Sequence, residues 1–442
     1  MSEKHTFKLL SERRFLPLFC TQFLGAFNDS LYKNALIVLI AFSTKPLPTS
    51  RDTLTNLCAI LFIFPFFIFS ALAGQLADKH EKAILIRWIK GVEVILAMLA
   101  FLGFYLNNLW LLLGALFLLG IQATFFGPVK YSILPQHLKE SELLGGNGLI
   151  EMGTFIAILL GTLSGAILIA LPKGGLVWVS SCLFVIAILG LITSFFIPNA
   201  KAYVPSLKVH FEPFSQTAKI LISSFQNKIV FHSIIGISWF WVYGSLVLTQ
   251  IAHYTQLILG GNEKVVTVLL FTFSIGIGFG SVFCNRLSRK KLDVGVVLFG
   301  AIGLSVFAFD LGFAHGPIHQ HTLGALEFLQ DWHSWRILLD AFLMGTFGGF
   351  YVVPLYTLIQ TKSEPEVRSR MIAANNVLNS LFMVLGSALA IVFLNAGFTI
   401  PQLFLLIAVL NTAMAFYLIY FIPNFWSSFV AWVKKSDHYN KQ

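Results

Sequence analysis

Residues 120–136 read GIQATFFGPVKYSILPQ, and residues 345–361 read GTFGGFYVVPLYTLIQT. Shifted by 225 residues, Gly120 falls on Gly345, Phe125 on Phe350, Phe126 on Tyr351, and Tyr131-Ser132 on Tyr356-Thr357. The same shift lays Gly161 on Gly386. A slightly different shift overlays two basic loops, Asp78-Lys79 on Asn285-Arg286 and Lys82 on Arg289. The chain therefore reads as one unit used twice in parallel.

Composition identifies the solvent. Of 442 residues, 57% are hydrophobic and 11% charged, against about 25% charged in soluble domains. Mean hydropathy is +0.79, so an integral membrane protein is expected. A spanning helix needs about 20 apolar residues. Such segments fall near 15–43, 54–76, 83–106, 109–129, 148–171, 175–197, 229–256, 263–284, 293–314, 336–360, 371–396 and 400–423. They are too long and too evenly apolar for barrel strands. The expected fold is an all-α membrane protein of twelve transmembrane helices in two six-helix bundles. Its parts are 1–197, a linker 198–228, 229–423 and a tail 424–442. Within the linker and the tail, Phe214–Phe225 and NFWSSFVAWVKK have the pattern of short amphipathic surface helices. The polar, basic N-terminus is not read as a cleavable signal.

Of the 30 Lys and Arg, only Lys45, Arg51, Lys173, Lys264 and Arg336 fall in loops on one side, with Lys33 inside a span. The other side, rich in cations, is expected to be cytoplasmic and to hold both termini. Basic residues spread over short loops do not make a nucleic-acid face, so no nucleic-acid partner is expected. Cys20, Cys58, Cys182 and Cys284 lack CxxC pairing and read as small core residues. No P-loop, nucleophile elbow or Gly-rich nucleotide loop is present, which argues against an enzyme and against a cofactor. His315, His319 and His321 read as a solvated loop rather than a metal site.

Ionisable residues inside spans are the strongest pointer to function, because a charge at bilayer depth costs about 2.5–3.5 kcal/mol or more. In TQFLGAFNDSLYKNALIVLIAF (21–42), Asp29 and Lys33 stand one turn apart on one helix face. They read either as a self-neutralising pair or as a site for a charged head group. Glu151 lies a turn inside span 5, where it is expected to join Asp29 or carry a proton. Lys130 is expected at the cytoplasmic mouth of span 4. Lys90 and Glu93 form an i,i+3 pair near the cytoplasmic end of span 3, read as structure or gate. Asn28, Asn147 and Gln22 add hydrogen bonds. Asp310, Asp340, Asn375, Asn376 and Gln250 are the candidates in the second half. Gly161-x-x-x-Gly165 reads as a close-packing face that slides past the second half. Two six-helix repeats around a polar cavity describe a secondary transporter.

GQLADKHEK (74–82) resembles the loop signature of the major facilitator superfamily, in which the Asp helps hold the two halves together. That resemblance implies a latch of Asp78, Lys82, Arg286 and Arg289, weaker on the side where Asn285 replaces the acid. QFLGAFNDSL, FFGPVKYSIL, GGNGLIEMGTFIAILLGTLSG and GGFYVVPL resemble the lysophospholipid transporter family. SWFWVYGSLVLTQ and LLFTFSIGIGFGS look closer still to the transporter half of transporter–acyltransferase fusions. The resemblance implies a lysophospholipid substrate, above all lysophosphatidylethanolamine, carried across a bacterial inner membrane by alternating access with lateral opening. It matches Asp29, Lys130, Asn147 and Glu151 to family motif residues; with Lys33 and Asn28, read from span 1 itself, these make the expected substrate site. Membrane lipids and a separate acyltransferase are the implied partners, since the chain ends at Gln442. Leu248 stands where the family has an Arg. That departure keeps open a proton-coupled exporter of another amphiphile. A non-transporting scaffold for an acyltransferase is the third reading.

Overall fold

Most long apolar segments begin beside a side chain that accepts the free N–H groups of a first turn. The structure, a computed structural model, describes residues 4–43, 46–288, 293–314 and 322–434. Arg289, Lys45 and the three loop histidines lie outside them. The first half contains α1 (Leu16–Ala41), α2 (Arg51–Lys79), α3 (Lys82–Tyr105), α4 (Leu109–Ser132), α5 (Glu140–Ile169) and α6 (Gly175–Phe195). The second contains α7 (Lys228–Leu257), α8 (Glu263–Leu287), α9 (Gly295–Leu311), α10 (Trp332–Lys362), α11 (Arg368–Asn395) and α12 (Ile400–Phe421). Ser50 caps α2, Glu81 caps α3, Asn108 caps α4, Asn227 caps α7 and Asn262 caps α8. Among the described residues, nine helices are long and apolar enough to cross a membrane. The two amphipathic segments form helices at Pro213–Ser224 and Phe425–Val433.

α5 starts at Glu140, eight residues before the sequence expectation. The Lys139 N–H donates to Glu142 Oε2 at 2.9 Å, and the glycine-rich GGNG (145–148) leading into the expected span continues the helix. Its glycines allow close contact: Gly148 lies flush on the Ser281 carbonyl of α8, and a Cβ there would collide with it.

The halves repeat in packing as well as in sequence. Gly120 on α4 admits the α2 backbone at Phe62, and its mate Gly345 on α10 admits the α8 backbone at Phe273. The halves meet along α2–α11 and α5–α8, with α4–α11 and α5–α10 beside them. Gly161 and Gly165 do not face the second half. Their flat surface receives the α1 backbone at Phe27 and Leu31, and the α5 glycines that meet the second half are Gly145 and Gly148.

Gly161→Val places a branched side chain against the Phe27 carbonyl, an overpacking that costs about 1–3 kcal/mol. The expected result is a lower melting temperature in detergent. The same change at Gly114, with open space around its Cα, leaves the melt unaltered.

Candidate functional site

α1 and α4 of the first half and α11 of the second enclose a central cavity of about 320 Å³. Asp29 and Lys33 line it from α1, Lys130 from α4 and Lys90 from α3. Among the described ion pairs, none joins Asp29, Lys33 or Lys130 to another group. Asp29 and Lys33, one turn apart on α1, therefore make no direct ion pair. Instead Lys33 Nζ stands 5.5 Å from the centre of the Phe62 ring, Lys130 Nζ stands 4.5 Å from that of Tyr131, and Asp29 Oδ1 has no hydrogen-bond partner. Phe62, Phe66, Phe126, Trp241 and Met383 form the apolar wall. The second half adds neutral groups only: Asn376, Asn379 and Ser380.

Lys130 is thus in the cavity rather than at a cytoplasmic mouth. Lys90 and Glu93, read from sequence as structure or gate, pair at 2.6 Å with both side chains 1% exposed. Glu93 also accepts from Asn28 Nδ2 at 3.1 Å and Gln122 Nε2 at 3.0 Å. This network lies wholly within the first half, so it braces the cavity wall rather than tying the two halves together. Gly25 makes it possible, since any Cβ there would meet Lys90 Nζ. Asn28 turns toward Glu93 and away from the cavity, which removes it from the substrate set. Asp310 pairs with Arg336 at 2.6 Å, and neither Asp310, Asp340, Asn375 nor Gln250 lines the cavity. Leu248 packs among apolar neighbours.

The cavity floor is built from repeat mates. Tyr131 and Tyr356 stack across the seam with ring centres 4.3 Å apart and planes 6° off parallel. Trp241 Nε1 donates to the Tyr356 hydroxyl at 3.2 Å, and Tyr131 donates to Glu151. Glu151 is fully buried behind this floor, outside the cavity lining. Asn147 lies beneath it as a seam residue, not a cavity one. Its amide donates to Thr357 at 3.1 Å and Gln360 at 2.6 Å, and accepts from Gln360 at 3.0 Å. Gln360 Nε2 also reaches the Tyr131 carbonyl at 3.0 Å.

Farther from the cavity is the latch. The buried Asp78 accepts from the Ser369 N–H at 3.2 Å and from Arg370 Nε at 3.0 Å, both on α11. Arg370 fills the role expected of Lys82, which is buried beneath the Tyr203 ring of the linker at 4.9 Å. Asn285, the neutral mate of Asp78, receives no such pair and donates to Thr6 at 2.8 Å. Arg286 lies over the Phe283 ring. On the same end, Arg14 makes two bonds to Glu142 at 2.7 and 2.8 Å, and that carboxylate raises the guanidinium pKa. The described hydrogen bonds between the two halves in which a side chain takes part all lie between the floor and this end. Arg370, Gln360 and the tyrosine floor were not singled out from sequence, although the 225-residue overlay had already paired Tyr131 with Tyr356.

Removing Arg370, whose side chain is 26% exposed, leaves the buried Asp78 carboxylate without its charged partner. Arg370→Ala should therefore depopulate the closed latch. In a background lacking the four native cysteines, Ser369→Cys is expected to alkylate faster when Arg370 is Ala. Equal alkylation would show that Asp78–Arg370 does not hold the halves together.

A family model described as Major Facilitator Superfamily matches residues 18–387. The lysophospholipid transporter LplT of Serratia proteamaculans (strain 568) is 26% identical over 391 residues, 85% of this chain and 87% of that protein. The protein of the same name from Escherichia fergusonii is 27% identical over 395 residues, 87% of this chain and 90% of its own. Among solved structures, the transporter FucP in its outward conformation superposes with a TM-score of 0.69 at 13% identity, over 92% of this chain and 99% of that one. The human organic anion transporter MFSD10 gives 0.69 at 14% identity, over 90% and 98%. At these identities the solved structures speak for the fold alone.

Proposed function

The chain belongs to the major facilitator superfamily, and from that premise we propose that it carries lysophospholipids across a membrane by alternating access. Membership in a transporter superfamily makes it a transporter rather than an enzyme. The observation that carries the substrate class is the cavity itself. Asp29, Lys33 and Lys130 face one chamber without a direct ion pair among them, and aromatic side chains line the same chamber. A lysophospholipid needs both surfaces: charge and hydrogen bonds for its head, and an unspecific apolar track for its single tail. Its phosphate takes Lys33 and Lys130, and the ammonium of an ethanolamine head takes Asp29. Charge-assisted bonds of this kind contribute about 1.5–3 kcal/mol each. Relatives of similar length named lysophospholipid transporters support the same reading.

The twelve long helices are then twelve spans, with both termini in the cytoplasm, because the latch end carries most of the Lys and Arg. On this reading the latch closes the cytoplasmic side and the cavity faces outward. α11 beyond Met383 turns outward to Val384, Leu385, Leu389 and Ile391, and α2 does likewise at Ile60 and Phe64. These flanks suit a lateral opening through which a tail stays in the bilayer while the head crosses. The membrane is a bacterial inner membrane, and the product would feed a separate acyltransferase.

A second reading rests on Leu248. With no cation on the α7 wall, a proton-coupled exporter of another amphiphile keeps the same fold. Vesicles containing the purified protein and labelled lysophosphatidylethanolamine separate the two. Transport is expected without a proton gradient. Asp29→Asn, Lys33→Gln and Lys130→Gln are each expected to slow it about tenfold or more, with Lys173→Gln as an unaffected control. Movement equal to that in empty vesicles would end the lysophospholipid reading. Drug-competed movement that follows the proton gradient would favour the exporter.

A further inference from the structure

A second cavity, of about 360 Å³, lies at the latch end between the linker and α11. Its polar lining is Gln75, Lys208, His210, Gln216, Lys219 and Arg370, with Ser223 at its edge and no Asp or Glu. Gln216 is 7% exposed, and its amide Nε2 has no hydrogen-bond partner. Arg370 uses Nε on Asp78 and Nη2 on the Glu366 carbonyl, which leaves Nη1 for a ligand. Lysine, arginine and an amide N–H₂ present donors, and phosphate oxygens are acceptors at neutral pH. We propose that this pocket is an anion site for a phosphate group, separate from the transport cavity, and that its occupancy stabilises the closed latch.

The coupling follows from which half owns each wall. The linker is tied to the first half: the Val204 N–H donates to the Asp78 carbonyl at 3.0 Å, and the His210 N–H donates to Gln75 Oε1 at 3.0 Å. The opposite wall, Val367, Arg370 and Met371, belongs to α11 of the second half. The linker helix Pro213–Ser224 packs on both α2 and α11. Separating the halves at this end pulls the walls apart, so a phosphate there binds the closed form and not the open one. Such a ligand shifts the equilibrium by mass action. Its source is either a free phosphate or the head group of an anionic lipid. The same helix exposes Phe214 and Ile222, and Phe211 and Phe225 flank it, all more than half exposed, as in a segment lying on a bilayer surface.

Hydrogen exchange of the full-length protein tests this without reference to transport or substrate. One arm compares inorganic phosphate with chloride in detergent. The other compares nanodiscs of phosphatidylcholine with and without phosphatidylglycerol. Residues 204–210 and 368–373 are expected to exchange roughly tenfold more slowly at about ten times the dissociation constant, in one arm or both. The responding arm identifies the source. Lys208→Gln/Lys219→Gln, two exposed changes, should abolish the protection. No protection in either arm, or protection that persists in the double variant, would overturn the site.

Discussion

Charge in the middle of an apolar protein is the constraint from which the rest of this structure follows. Asp29, Lys33 and Lys130 stand where insertion is costly, and they line one shared chamber rather than facing the bilayer. That chamber needs walls that do not neutralise it. Glu93 is therefore occupied by Lys90, Asn28 and Gln122, and Glu151 is withdrawn behind Tyr131. The second half contributes amides and hydroxyls but no charge. On the proposed reading, one bundle holds the polar head while the other supplies a neutral surface.

The closed end solves the opposite problem. Polar groups there satisfy one another across the seam, through Asn147, Gln360 and Thr357, and through Asp78 with Ser369 and Arg370. Unmade hydrogen bonds in a buried seam cost about 1–3 kcal/mol each, so the seam is stable when shut and must be hydrated when it opens. Its pseudo-symmetry is visible in single contacts. Tyr131 and Tyr356, mates in the repeat, stack on each other. Gly74 on α2 meets Ala373 on α11, while their counterparts Ser281 and Gly148 meet on the other side. The acid of the latch has no such counterpart, since Asn285 turns to Thr6.

Much of this was legible in the chain. Apolar runs located the long helices, because length and hydropathy leave few alternatives in a bilayer. Asp29 and Lys33 were found because charge is conspicuous against an apolar background. Roles that depend on helix rotation and depth were not legible. Asn28 and Asp29 are neighbours in sequence, yet one faces Glu93 and the other the cavity. Lys130 looked like a mouth residue because α4 ends at Ser132, but the seam closes beyond it. Asn147 was singled out as a substrate residue, but its place at the seam depends on the glycines around it, which make close helix contact only in the bundle. Arg370 could not be matched to Asp78 from sequence, as their pairing spans the two halves.

The central claim is that a lipid head enters the chamber of Asp29, Lys33 and Lys130. A lysophospholipid with a photoreactive group beside its phosphate, crosslinked to the reconstituted protein and mapped by peptide mass spectrometry, tests it most directly. The account predicts adducts on cavity-lining residues of α1, α4 and α11, competed by unlabelled lysophospholipid. Adducts confined to the outer, bilayer-facing surfaces, with none in the cavity, would contradict it.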